Sequence, residues 1–409
     1  MAAANAGAGL SSEGPAGRNP SRSVAGENLS VVYALELGGF GGRSVWKPRD
    51  QIVRIAQIPP LFEACPPSLY GGTERVVAYL CDELVALGHS VTLFTCKCSQ
   101  TRATLAAVRD QPLRLDPAAL KSDVAAHLSM LDEVRSRAGE FDILHFHTDL
   151  LHFPLFEPLA HRTLTTIHGR LDLKDLEGAY RRWNHFGLAS ISYSQREPLR
   201  AGHWIANVPH GIPRTLCRLS PDAGQGYLAY LGRMAPEKRP HLAIELALRS
   251  GLPLKLAAKV DVADVAYFRK RVQPLLGGPG IEYIGEINDS QKSRFLGGAR
   301  ALLFPIDWPE PFGLVMIEAM ACGTPVIAWN RGSVPEVIED GVTGLIVETE
   351  AEALAAIDQV GKLDRRSVRA RFEQRFGADI MALTYSDVYT RMLSNTRLTP
   401  VRPLETIAS

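Results

Sequence analysis

From Ile52 onward the chain alternates short apolar runs with segments of helical period, which restricts it to layered α/β architectures with parallel sheets. Val53 to Ile58, Ser90 to Thr95, Phe141 to Phe146, Thr163 to Ile167, Ala189 to Tyr193 and Ala206 to Val208 read as one series of strands. A second series runs through Tyr227 to Tyr230, Leu254 to Ala258, Ile281 to Tyr283, Ala301 to Phe304, Val326 to Trp329 and Leu345 to Val347. Helices are expected between them, among others Glu74 to Leu87, Pro240 to Arg249 and Ala263 to Leu275. In the first of these, Val77, Leu80, Cys81, Leu84 and Leu87 form one buried stripe, and Thr73 is the expected N-cap. Pro, Gly and Ser cluster between Pro213 and Gly226, which sets a boundary between a first domain over 51–213 and a second over 226–377. The length of 409 residues favours two cores over one. A last helix, about 378–395, carries Met381, Tyr385, Val388, Tyr389 and Met392 on one side.

Residues 1–50 differ from the rest, being rich in Ala, Gly, Ser and Pro up to Gly26 and having only the short apolar run Val31 to Leu37. They read as a disordered leader and lack the charged flank and apolar core of a secretory signal. No apolar run reaches the roughly 18 residues of a membrane-spanning helix. A formal charge of +1 gives no support for a nucleic-acid surface or a polybasic membrane anchor, although peripheral membrane contact stays open. Six cysteines stand without close pairing motifs, as expected of reduced thiols in a cytoplasmic protein.

The most informative stretch is Ala301 to Ala328, which reads as strand, loop, helix and strand. Two carboxylates bracket the turn, Glu310 in the loop and Glu318 inside an otherwise apolar helix, where an acid needs a polar partner. The amides of Phe312, Gly313 and Leu314 open that helix and point donors into a cleft suited to an anion. Three further clusters follow strands. Gly71-Gly72 precede a helix and leave room for a phosphate, although a tight turn explains a glycine pair equally well. Arg233 and Lys238 stand at a strand's carboxyl end, placed to clamp a diphosphate. His168-Gly169 end another strand. His145, His147 and His152 raise the possibility of a metal, but no carboxylate or cysteine flanks them at zinc spacing, so none is expected.

Together these motifs give a resemblance. The chain from about Ile52 to Leu393 is similar to the retaining glycosyltransferases of family 4, also called group 1, through Glu310-Pro-Phe-Gly-Leu-Val-Met-Ile-Glu318, Gly71-Gly72, Gly232-Arg233 with Lys238, His168-Gly169 and Arg331-Gly-Ser-Val-Pro-Glu336. The resemblance implies a GT-B fold: two Rossmann-like, doubly wound domains facing a central cleft, with the C-terminal helix crossing back to the first. It implies a nucleotide-diphosphate sugar as co-substrate, a carbohydrate, lipid or small-molecule acceptor, and no metal or other cofactor. Glu318 would hold the ribose and Glu310 the transferred sugar, with amides around Phe312, Gly313, Leu314 and Val315 on sugar and diphosphate. Arg233 and Lys238 would neutralise the leaving diphosphate, and Gly71 and Gly72 would close over it. His168 would touch the sugar and the Ile287 backbone the base. Lys259 stands where many relatives have a glycine-rich turn, and His210 where Asn is common. Two rival activities share this architecture, a sugar-nucleotide epimerase and a non-catalytic sugar-nucleotide-binding protein.

Overall fold

The structure, a computed structural model, describes residues 52–397 except Leu69, Tyr70, Ala119 and 221–225, with the side chains of 395–397 also left aside. The leader expected over 1–50 lies outside the described residues.

Two parallel sheets organise the chain. The first contains β1 (Arg54–Ile58), β2 (Ser90–Cys96), β3 (Thr104–Arg109), β4 (Ile143–Phe146), β5 (Thr163–Thr166), β6 (Gly187–Ser190) and β7 (Trp204–Asn207), in the order β3-β2-β1-β4-β5-β6-β7. The second contains β8 (Leu228–Arg233), β9 (Leu254–Lys259), β10 (Ile281–Gly285), β11 (Ala301–Phe304), β12 (Val326–Trp329) and β13 (Gly344–Val347), in the order β10-β9-β8-β11-β12-β13. In each sheet the order reverses between the first and fourth strands, β1/β4 and β8/β11. Doubly wound sheets bind ligands outside the carboxyl ends of strands at that point.

The strands of both sheets are almost wholly buried in their centres, as expected where helices cover both faces. Four helices matter for the site: α1 (Gly72–Ala86), α2 (Asp289–Gly297), α3 (Leu314–Ala321) and α4 (Ala378–Arg397). Helix α4 packs Met381, Ala382, Tyr385, Val388 and Tyr389 into the core of the first sheet, together with Val76, Val77, Leu80 and Leu84 of α1. It therefore crosses back after the second sheet is complete.

Four local expectations differ from the structure. Helix α1 starts at Gly72 and is preceded by Gly71 at φ +151°, so Thr73 lies inside it and no side chain caps it. Strand β6 covers Gly187–Ser190, short of the expected end at Tyr193, because the Ile191 amide donates to Oε1 of Gln195 (3.0 Å) and leaves the ladder. The segment expected as one helix from Ala263 to Leu275 breaks into short α, π and 3-10 turns, ending at Gln273–Leu275, where Pro274 offers no amide hydrogen. Strand β3 is absent from the expected series; it adds to β2 at the sheet edge and is only partly buried.

Candidate active site

A cleft of about 740 Å³ opens between the carboxyl edges of the two sheets. Gly71, Gly72, His168, Arg233, Lys238, Lys259, Ile287, Glu310, Phe312, Gly313, Leu314, Val315 and Glu318 all line it, so the sequence-derived site residues converge on one place.

The Glu310 loop follows β11. Glu310 is 8% exposed and Glu318 4% exposed, burial that a carboxylate tolerates only with partners. Glu310 has two: its Oε2 pairs with the Lys238 ammonium and accepts from the Trp308 indole N–H at 2.9 Å. The Lys238 Nζ also sits 4.7 Å from the centre of the Trp308 ring. Beneath the loop, Gly332 adopts φ +56°, and a Cβ there would lie 2.4 Å from the Glu310 nitrogen. Only glycine fits that approach. Ser333 completes the clamp, its amide donating to the Glu310 carbonyl (2.9 Å) and its hydroxyl to the Phe312 carbonyl (2.9 Å).

Gly313 precedes α3 in the left-handed region, at φ +78°, where a Cβ would lie 2.8 Å from Met316 Cε. No side chain caps α3. Its first amides therefore face the cleft, where the helix dipole favours an anion. Four residues into α3, Oε1 of Glu318 accepts from Lys292 Nζ of α2 at 2.6 Å.

The cations after β8 and β9 are embedded among acids. Arg233 pairs with Glu237 and lies 3.3 Å from Asp264 and 3.7 Å from Asp261, while Lys259 is 3.0 Å from Asp261. These carboxylates hold both cations in place at the strand ends.

On the opposite side, His168 sits in a chain of imidazoles. Its Nε2 is 2.8 Å from Nδ1 of His147, and its Nδ1 is 3.3 Å from Nε2 of His210. Nε2 of His147 donates to Oε1 of Gln57 (2.8 Å), whose Nε2 donates to the Tyr389 hydroxyl of α4 (3.2 Å). Tyr389 in turn donates to His145 Nδ1 (2.8 Å), and His145 Nε2–H to Thr166 (2.8 Å). The orientation of Gln57 thus fixes the tautomers in sequence: His147 carries its proton on Nε2, and so do His168 and His210. Burial holds His145, His147 and His210 well below the usual imidazole range and lowers His168 to about 3. Both ring nitrogens of His168 are thereby engaged by neighbours. His152 points elsewhere, stacked on Phe146 at 3.8 Å and bonded to Thr165. Among the described residues no group of three His, Cys, Asp or Glu side chains is spaced to hold a metal ion.

Links across the cleft join the two sides. Arg75 of α1 pairs with Asp289 of α2, and Tyr79 donates to the same carboxylate at 3.4 Å. Glu336 accepts from the amides of Tyr193 and Ser194, both at 2.7 Å, and Ser192 donates to the Pro311 carbonyl at 2.7 Å. Gly72 faces Leu314 at the mouth of α3. Lys292, Asp289, Arg75, Trp308, Gln57 and Gln195 escape the sequence reading. Gln195 fixes the His168 loop by donating to the carbonyls of Ile167 (2.9 Å) and Gly169 (2.8 Å).

Comparison with known families agrees with this geometry. The family described as Glycosyltransferase Family 4 matches residues 70–207, and that described as Glycosyl transferases group 1 matches residues 218–375. The chain belongs to the group 1 glycosyltransferases. Among curated relatives, the D-inositol 3-phosphate glycosyltransferase of Streptomyces griseus is 36% identical over 159 residues, covering 37% of this chain and 30% of that protein. The stretches matched span 30%, 31% and 37% of the first three such relatives, about a third of their length. Solved structures with a similar fold include AviGT4, a glycosyltransferase involved in avilamycin A biosynthesis, with TM-score 0.65, 22% identity, and 84% of this chain and 98% of that one covered. Anabaena HepE in complex with UDP and glucose has TM-score 0.64 and 18% identity, with 83% and 99% covered. These two establish the GT-B fold. Among the described residues, no helix is long and apolar enough to cross a membrane.

Proposed function

We propose that the protein transfers a sugar from a nucleotide-diphosphate sugar to an acceptor hydroxyl with retention of anomeric configuration, in the cytoplasm and without a metal. The observation that carries this reading is the convergence of Glu310, Glu318, Lys238 and the uncapped start of α3 on one cleft between two doubly wound sheets. Glu318 binds the ribose hydroxyls, and the Ile287 backbone touches the base. The amides of Gly313, Leu314 and Val315 hold the diphosphate, helped by Arg233, Lys238 and Lys259. Glu310 accepts from hydroxyls of the transferred sugar. Gly71 and Gly72 let the α1 end approach the phosphates. His168, with both nitrogens engaged, shapes the sugar site through its ring edge and adjoining backbone.

Glu310 is paired with Lys238 and Glu318 with Lys292, which supports a front-face displacement over a covalent intermediate. The bond from the anomeric carbon to the phosphate oxygen breaks, and the acceptor oxygen bonds to the same face. Its proton passes to the leaving phosphate oxygen, so no protein base is needed. Arg233 and Lys238 stabilise the charge that develops there.

The test is incubation of the protein with UDP-, ADP- and GDP-sugars and a mixed acceptor pool, with products read by NMR at the anomeric carbon. Retained configuration and a rate indifferent to EDTA are expected. An isomerised donor formed without acceptor would instead indicate an epimerase, and binding without turnover a non-catalytic protein.

A further inference from the structure

The first-sheet side of the cleft, opposite Glu310, Glu318 and the start of α3 to which the donor is assigned, is left for the acceptor and has an unusual charge balance. Among the described residues two cations line it, and both are engaged: Arg75 pairs with Asp289, and Arg114 lies 3.2 Å from Glu63 with its guanidinium 5.7 Å from the centre of the Phe62 ring. Three carboxylates line the same side, Glu74, Asp123 and Asp149. Oε1 of Glu74 accepts from the Glu63 amide at 3.2 Å.

Asp149 differs from the other two. It follows the His147-Thr148 end of β4 in the left-handed region, at φ +49°, a conformation that costs a non-glycine residue energy. It lines the cleft with its side chain open to solvent. The protein packed around it still pushes its carboxyl up to about 6, with no cation offsetting the shift. A strained carboxylate without a cation, aimed into a cleft, is a cost to the fold that an outside hydrogen-bond donor would relieve.

Two aromatic rings, tilted to one another, line the same side of the cleft. The Phe62 and His127 rings lie 5.2 Å apart at 50°. His127 is fixed at both nitrogens, accepting from the Leu61 amide at Nε2 (3.0 Å) and donating from Nδ1–H to the Asp123 carbonyl (2.7 Å). An aromatic face attracts the positive C–H edge of a sugar ring. A carboxylate accepts from the hydroxyls on the sugar's rim. A phosphate, in contrast, would meet the Asp149 charge with both nearby cations already neutralised.

We propose that the acceptor is an uncharged saccharide, held by its hydroxyls on Asp149 and by its apolar ring face on Phe62, and that phosphorylated sugars are poor acceptors. This rests on the glycosyl-transfer reading. Asp149 is a specificity residue here and takes no part in breaking the donor bond.

The experiment uses the full chain with UDP-glucose, ADP-glucose and GDP-mannose as donors. Acceptors are methyl glucosides, maltose, octyl glucoside, glucose 1-phosphate, glucose 6-phosphate and myo-inositol 1-phosphate. We expect kcat/KM for a neutral saccharide to exceed that for its phosphorylated counterpart by at least about tenfold, a margin of about 1.4 kcal/mol. Asp149→Asn, which keeps the shape and tolerates the left-handed backbone, should raise the acceptor KM about tenfold while leaving the donor KM unchanged. Arg114→Ala should leave acceptor preference as it is. A preference for octyl over methyl glucoside would show the saccharide arriving on a lipid, and equal use a free sugar; both support the assignment. Faster transfer to a phosphorylated sugar, or an unchanged acceptor KM in Asp149→Asn, overturns it. Donor turnover without transfer to any neutral saccharide overturns it too and leaves the glycosyl-transfer reading standing. Failure to turn over any donor removes both.

Discussion

The Lys292 ammonium donates to Oε1 of Glu318 across 2.6 Å while lying 3.3 Å from Oδ1 of Asp289. Burial alone would lower the lysine's pKa, but Glu318, aided by Asp289, carries it above its ordinary value. The pair holds the Glu318 carboxylate in one orientation within the cleft. Removing one partner of so enclosed a pair leaves the other uncompensated. Lys292→Met is therefore expected to weaken binding of the cognate nucleoside diphosphate by on the order of tenfold, measured by titration calorimetry over UDP, ADP and GDP. An unchanged affinity would show that the lysine does not position Glu318.

Asp289 also receives Arg75 from α1, so the path Arg75–Asp289–Lys292–Glu318 runs from the first sheet's helix to the carboxylate inside α3. Closing the cleft and ordering Glu318 are thus coupled by contact. Arg75→Met should widen the ligand-free particle in small-angle scattering and lower kcat, with nucleotide affinity changing by less than about threefold. Equal scattering curves for the variant and the native chain would argue against the link.

The fold was largely legible because it rests on periodicity. Ala301–Phe304 and Val326–Trp329 are found at the expected bounds, since a fully buried parallel strand is a short apolar run between turn residues. The Glu310 and Glu318 positions were legible for a related reason, an acid in apolar surroundings being conspicuous. What escaped was pairing over distance. Lys292 looks like any exposed helix lysine in sequence, and only packing α2 beside α3 brings it to Glu318, 26 positions away. Glu336 belonged to a recognisable motif, but its contact with the amides of Tyr193 and Ser194, over 140 positions off, depends on how the two sheets meet. Thr73 was misplaced because an Asx- or Ser/Thr-type cap is the common solution, whereas here Gly71 leaves the α1 amides open.

Asp149 gives a stability prediction independent of acceptor chemistry. Its carboxyl is raised to about 6 in the folded protein, so the folded state binds the proton more tightly than the unfolded chain. The penalty is absent below the unfolded pKa near 4 and complete above about pH 6. Because the group opens on cleft water, the penalty is screened and only part of it is felt. Asp149→Asn should raise Tm at pH 7 by on the order of 1 to 2 °C, and the gain should vanish near pH 4. A loss of Tm at neutral pH would mean that the carboxylate has a partner within the fold.

The imidazoles of His145, His147, His168 and His210 predict the opposite pH trend. Burial depresses all four below the unfolded value near 6.5, with His168 at about 3. Above pH 6.5 the rings are neutral in both states and the chain through Gln57 is intact. As pH falls through 6.5 the unfolded chain gains protons that the folded rings refuse, and stability is lost at up to about 1.4 kcal/mol per pH unit for each ring. Protonating His147 or His168 would also turn an acceptor nitrogen into a donor facing another donor, breaking the order set by Gln57. Tm should therefore drop between about pH 6.5 and 5, beyond what the carboxylates contribute, and replacing His168 by Asn should flatten that drop. Nitrogen-15 chemical shifts give the direct check: the four rings should stay neutral down to about pH 5. A His168 ring titrating at the unfolded value would show that the chain of imidazoles is open to solvent, and kcat/KM would then carry an inflection near the same pH, which the closed chain does not produce.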